Sequence, residues 1–233
     1  MSEPSQMDQV FHIIMKRFVE TGQAPHYTEI AAGLGVLPEE GRKAVHGLFS
    51  IPMFPGWIFP NTDYVTSFPP FNNLPTQYRI TIDGQQKWFA QWGFESLAVS
   101  WLFKGKKVQI DAPCLDCGSQ IKVEMKDGVV LSTEPEGLVA YTCVPFREWE
   151  KDLPYSWSTM NLFRSEEHVR KWSGFKPGTE EGLLPVLDMA KVFSGSLFTR
   201  RLDTDYVSHI HEYMMETGGV LKERGSFWQP PAP

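Results

Sequence analysis

The stretch KWFAQWGFESLAVSWLF, residues 87–103, is the most apolar of the chain, and its reading decides the fold. Trp88, Trp92, Glu95, Val99 and Leu102 recur at three- and four-residue spacing, which predicts a helix carrying them on one face. Glu95 is the anomaly of that face, because an acid among aromatic rings needs a partner or a chemical task. Just upstream, Tyr78, Ile80 and Ile82 alternate with Arg79 and Thr81, the pattern of a half-buried strand, and Asp83-Gly84 is a turn signal. Downstream, residues 108–110, 121–125, 129–131 and 138–144 read as strands, with Asp127-Gly128 as a hairpin turn between the second and third.

Further out, Val10, Phe11, Ile14 and Phe18 recur at helical spacing. A second helix is expected to open on Thr28 as its N-cap, and a third to start at Pro38 with Glu39 and Glu40 in its positive first turn. Three such helices outline a helix-turn-helix or winged-helix module. Residues 51–76, rich in proline, asparagine and aromatics, read as a wing or linker of irregular strands. Towards the C-terminus helices are expected after Ser165 as N-cap, over 184–193, and over 203–217 with Gly218 closing the last. The fold class is therefore α+β. A winged-helix-like module and linker (1–76) packs on a mixed sheet/helix core (77–228), followed by a disordered tail (229–233).

The chain of 233 residues is 42% hydrophobic and 13% aromatic, enough to bury a sizeable core. Its net charge of -6 argues against a nucleic-acid partner, and the acids that open the third helix would repel phosphate. No apolar run reaches the ~18 residues of a membrane span, and the polar, acidic start is not a signal peptide. The 3 cysteines, an odd number, do not suggest a disulfide framework. A soluble protein of a reducing cytoplasm, with no membrane partner, is expected, and the oligomeric state is left open.

The segment CLDCG, residues 114–118, places two thiols in the half-site spacing of a zinc knuckle. A structural zinc needs four ligands and no second pair exists. Cys143 and a histidine would have to complete the site. The favoured reading of Cys114 and Cys117 is a tight turn with reduced thiols and no metal. His209 and His211 point ~200° apart on a helix and read as ordinary helix residues. There is no glycine-rich phosphate loop.

The order of these pieces, together with the late segment SWSTMNLFRSEEH (156–168), resembles the organomercurial (alkylmercury) lyase family over about residues 8–200. The late segment is the most specific part. The resemblance implies that family's fold and a reaction without cofactor, in which two cysteine thiolates capture mercury and an acid helps to protonate the departing carbon. Matched residue by residue, the family's first cysteine falls at Trp92, its aspartate at Glu95 and its second cysteine at Trp157. A structural turn cysteine falls at Cys114. The carboxylate is kept in type and both capturing thiols are absent, so the parent reaction is not expected. Two indoles beside one carboxyl make an apolar pocket in which desolvation favours the neutral acid. The expected function is a lyase or isomerase on a small organic molecule, aromatic ones included. Glu95 would be its general acid/base, and Trp92, Trp157, Trp88 and Phe94 would shape the site. The alternatives are a non-catalytic small-molecule binder or sensor, and an alkylmercury lyase using Cys114 and Cys117.

Overall fold

A computed structural model of the chain describes residues 3–51 and 54–229. Three helices open it: α1 (Gln6–Thr21), α2 (Tyr27–Leu34) and α3 (Pro38–Phe49). Ser5 and Asp8 cap α1 reciprocally, and Val10, Phe11, Ile14, Met15 and Phe18 form its buried stripe. The cap of α2 is His26 rather than Thr28, because the Glu29 carboxylate accepts from the His26 N–H at 2.9 Å. Pro38 stands in the first turn of α3 as expected.

Strands β1 (Trp57–Ile58), β2 (Val65–Phe68), β3 (Phe71–Asn72), β4 (Arg79–Ile82) and β5 (Gln85–Ala90) follow, then the short helix α4 (Gly93–Ser96). Next come β6 (Val108–Pro113), β7 (Gln120–Lys126), β8 (Val129–Glu134) and β9 (Val139–Tyr141). The chain continues through α5 (Leu153–Ser158), β10 (Asn161–Phe163), α6 (Glu166–Lys171), β11 (Leu183–Pro185), α7 (Val186–Val192), α8 (Ser196–Thr199) and α9 (Ile210–Lys222). Eight strands form one antiparallel sheet in the order β1-β2-β3-β5-β4-β6-β7-β8, so the strands of the 51–76 stretch continue the sheet of the core. A smaller antiparallel sheet has the order β10-β9-β11, and its β9 and β10 are buried at every position. Both Asp-Gly turns close hairpins with positive φ at both central residues, as a two-residue turn matching strand twist requires.

Residues 87–103 are not one helix. The Asp83-Gly84 hairpin returns the chain along β4, pairing Trp88 with Ile80 and Arg79 with Phe89. Helix begins only at Gly93, and a 3₁₀ turn takes Val99–Leu102. A short apolar run suits a buried strand as well as a buried helix, and here hairpin pairing decided. Two other boundaries moved. Residues 183–185 pair with β9 before α7 begins. Helix α9 starts at Ile210 and runs through Gly218 and Gly219 to Lys222, where burial of Leu221 (5% exposed) offsets the ~1 kcal/mol that each interior glycine costs. The tail beyond Gln229 lies outside the described residues. No helix among the described residues is long and apolar enough to cross a membrane.

Module and core share one interior. Trp88 Nε1 donates to the Phe18 carbonyl at 2.8 Å, and the Asp8 carboxylate accepts from the Ser208 N–H at 2.9 Å.

Candidate functional site: a buried carboxyl in an aromatic cavity

The position of Glu95 follows from a close approach of α4 to β10. Gly93 N–H donates to the Met160 carbonyl at 2.9 Å, and a Cβ on Gly93 would lie 2.7 Å from the Tyr78 hydroxyl. Tyr78 in turn donates to Asn161 Oδ1 at 3.0 Å and accepts from the Leu162 N–H at 3.2 Å. Glycine at 93 is thus a packing requirement, and it holds Glu95 one turn from the segment that carries Met160 and Trp157.

Glu95 lines a cavity of about 160 Å³. Phe94, Trp149, Trp157, Met160, Met189 and Phe198 contribute apolar wall, and Phe11 of α1 closes it from the N-terminal module. Glu95 itself is 5% exposed, and burial pushes its carboxyl up to about 8, with the Arg201 guanidinium pulling the other way. Arg201 is also on the wall and buried, its Nη1 donating to the Pro69 carbonyl and its Nε to the Leu197 carbonyl at 3.1 Å. Two buried polar atoms of wall residues, Trp157 Nε1 and Thr217 Oγ1, have no hydrogen-bond partner among the described residues. Each is a buried polar atom that the described residues leave unsatisfied.

The sequence-derived site residues therefore divide. Glu95, Phe94 and Trp157 meet at this cavity. Trp92 does not line it: the indole sits in a second hollow with Trp57 and Gln91. With the Gln91 amide oriented to satisfy its neighbours, Trp92 Nε1 donates to the Gln91 oxygen at 3.1 Å and the Gln91 nitrogen donates to Glu95 Oε2 at 3.1 Å. Trp92 thus supports the carboxyl from behind, through Gln91. Trp88 is further removed, pinned against α1 and edge-on to Phe103 at 5.1 Å. The same-face argument for Trp88, Trp92 and Glu95 fails because it assumed a continuous helix. Arg201 and Gln91 carried no signal in the sequence. A polar residue after Arg200 reads as surface until the Pro69 loop packs over it.

The three cysteines are elsewhere, and none is among the residues lining the cavity. The Cys114–Gly118 turn follows β6, with Gly118 in the left-handed region (φ 71) and its N–H donating to the Cys114 carbonyl at 2.8 Å. Hydrogen bonds from the hydroxyl and backbone N–H of Ser119 bring the Cys117 thiol down to about 7. His168, on α6, reaches this turn, so that one ligand atom each from Cys114, Cys117 and His168 all lie within 4.8 Å of one another. Cys143, the third thiol that the sequence pointed to, is buried 3.9 Å from the Tyr155 hydroxyl instead.

The fold is that of the alkylmercury lyases. The sequence model of the family described as MerB, alkylmercury lyase, matches residues 71–199, more than half of the chain, and the protein belongs to that family. Among solved structures, the mercury-bound form of MerB2 superimposes with a TM-score of 0.63 over 85% of this chain and 90% of that one. At 21% identity, that likeness is one of fold. No curated protein sequence matches the chain.

Proposed function

We propose that the protein is a cofactor-independent lyase or isomerase acting on a small, apolar organic molecule, with Glu95 as its general acid. The observation that carries this is a single carboxyl, held towards its neutral form by burial, on the wall of a mostly apolar cavity rich in aromatic rings. Apolar cavities of about 150 Å³ stay dry and take up benzene-sized guests, and the cavity here is of that size.

The chemistry follows from the same contacts. Buried Glu95 holds its proton at neutral pH and can deliver it to a carbon or a leaving group in a site with little water. Once the proton has gone, the new carboxylate faces the field of Arg201, which favours the charged form. Trp157 would stack on the guest or donate through its free Nε1, and Trp92 would hold Glu95 in place through Gln91. Mercury capture would need thiolates at the reacting centre, and the indoles of Trp92 and Trp157 occupy the positions that the family resemblance assigns to them. The N-terminal helices, read as a winged-helix-like module, would serve as a wall of the cavity through Phe11 rather than as a reader of DNA.

The test is solvent exchange at carbon. Small aromatic and alicyclic enols and enol ethers, which take up a proton at carbon, are incubated with the protein in D2O and followed by NMR. Deuterium incorporation by the wild type, abolished in Glu95→Gln, is the expected result. Binding without exchange would make the protein a binder, and neither binding nor exchange would leave the cavity a relic.

A further inference from the structure

We propose that Cys114, Cys117 and His168 form a binding site for one zinc-type cation, separate from the Glu95 cavity. Three observations converge. The first is the cluster itself, two sulfurs and an imidazole nitrogen within 4.8 Å of one another, the donor set that borderline and soft d¹⁰ ions take. The second is the shape of the turn. Gly118 in the left-handed region folds the chain back so that Cys114 N–H bonds to the Ser119 carbonyl and Gly118 N–H to the Cys114 carbonyl, each at 2.8 Å, which brings the two thiols to one side of a tight turn.

The third observation is Asp116. Its Oδ2 lies 2.7 Å from His168 Nδ1 and accepts from it, which puts the imidazole lone pair on Nε2. A carboxylate behind a histidine is the support that metal-bound imidazoles recurrently have, fixing tautomer and ring orientation. The local sequence thus supplies two ligands and the orienting acid within four residues, and α6 supplies the third ligand from 51 positions beyond Cys117. Cys117 is exposed, so the fourth coordination position faces solvent and would hold water. As the ion binds, the two thiols release their protons to solvent. The bound ion would tie α6 to the β6–β7 turn, and α6 directly follows the strand that braces Gly93 and Tyr78.

The experiment uses the full chain, purified under reducing conditions without chelator. Metal analysis is expected to find one zinc per chain. Chelator-treated protein titrated with Co²⁺ should develop the thiolate-to-metal and d–d absorption of a tetrahedral ion. Cys117→Ser, a change at an exposed side chain, should abolish both. Asp116→Asn should weaken affinity by about 10–100-fold, the usual effect of losing such a support, and Cys143→Ser should change neither. Clearly substoichiometric zinc together with no tetrahedral cobalt spectrum would overturn the assignment. So would binding that survives Cys117→Ser, or that depends on Cys143. These readouts involve no substrate, so they stand or fall apart from the proposed chemistry at Glu95.

Discussion

Around Glu95 the protein is mostly apolar, rich in aromatic rings and without thiols. Around Cys117 it is wet, polar and thiol-rich, with an acid, an imidazole and a hydroxyl in hydrogen-bonding contact. The family reaction brings a proton donor and soft sulfur ligands to one centre. Here the two assets are built on different elements, and their environments push titration in opposite directions. Burial raises the carboxyl to about 8, and hydrogen bonding lowers the thiol to about 7. Desolvation dominates at Glu95, to which the Gln91 amide donates, and donated hydrogen bonds dominate at the exposed Cys117. The comparison teaches that one scaffold can hold a buried carboxyl and a cluster of soft ligand atoms in two separate environments. The segment 156–168 connects the two regions, with Trp157 at one and His168 at the other.

The largest effect expected is on the rate. Glu95→Gln keeps shape and hydrogen bonding but cannot transfer the proton. It should lower turnover by about 10²–10⁴-fold, the span usual for a general acid, while ligand binding, read by indole fluorescence, persists. Unchanged turnover would break the assignment of the acid. In the wild type the rate should also decline as pH rises past about 8, where the acid form disappears.

Next in size is the dependence of stability on pH. The Glu95 carboxyl is raised in the fold from its ordinary 4.5 to about 8, so between those values the unfolded chain ionises while the folded one does not. The stabilisation that a neutral Glu95 permits is complete below pH 4.5 and is lost as pH rises towards 8. It amounts to a few kcal/mol, on the order of 1.4 kcal/mol per pH unit. Urea titrations of wild type and Glu95→Gln across that window should show a slope in the wild type that the variant lacks. Equal slopes would mean that Glu95 is ionised in the fold.

Smaller again is the expected loss in Trp157→Phe. The ring partly survives and the unpaired Nε1 goes, so guests bearing a hydrogen-bond acceptor should bind about 10-fold more weakly, on the order of one hydrogen bond, and wholly apolar guests less so. Calorimetry with such a pair of ligands would separate the two contributions. Equal losses for both would assign Trp157 to packing alone.

The last expected effect is none. Phenylmercury and excess thiol should yield no more benzene with the wild type than with Cys114→Ser/Cys117→Ser. Release that depends on those cysteines would merge the two regions functionally and defeat the separation drawn between them.

Much of the architecture was legible in local chemistry. Pro38 with its following acids, Ser165 before α6 and the two Asp-Gly hairpins each act within a few residues and stand where they were read, and the strands read over 108–110 and 121–125 lie inside the longer β6 and β7. The 87–103 stretch was misread because its apolar positions satisfy a helix and a buried strand alike, and only the partner strand β4 distinguishes them. The candidate site was half legible. Glu95 stood out as an acid in an apolar run, and Trp157 was reached through the family resemblance. Arg201, Gln91 and His168 were not found, because each is made relevant by a neighbour distant in sequence.

The sequence by itself determined which chemical groups exist and what short-range structure they adopt: one acid set among aromatics, two thiols poised in a glycine turn, and tryptophan where the family keeps cysteine. Turns, caps and strand alternation are decided by backbone conformations and contacts spanning a few residues, so they can be read along the chain. Only the tertiary structure decided what surrounds those groups. Desolvation of Glu95 needs walls from α1, α5, α7, α8 and α9, and its opposing charge comes from Arg201. The thiol turn gains its imidazole only when α6 packs beside it. Dielectric environment and ligand count belong to the packed volume around an atom, and that volume is filled by residues far away in sequence.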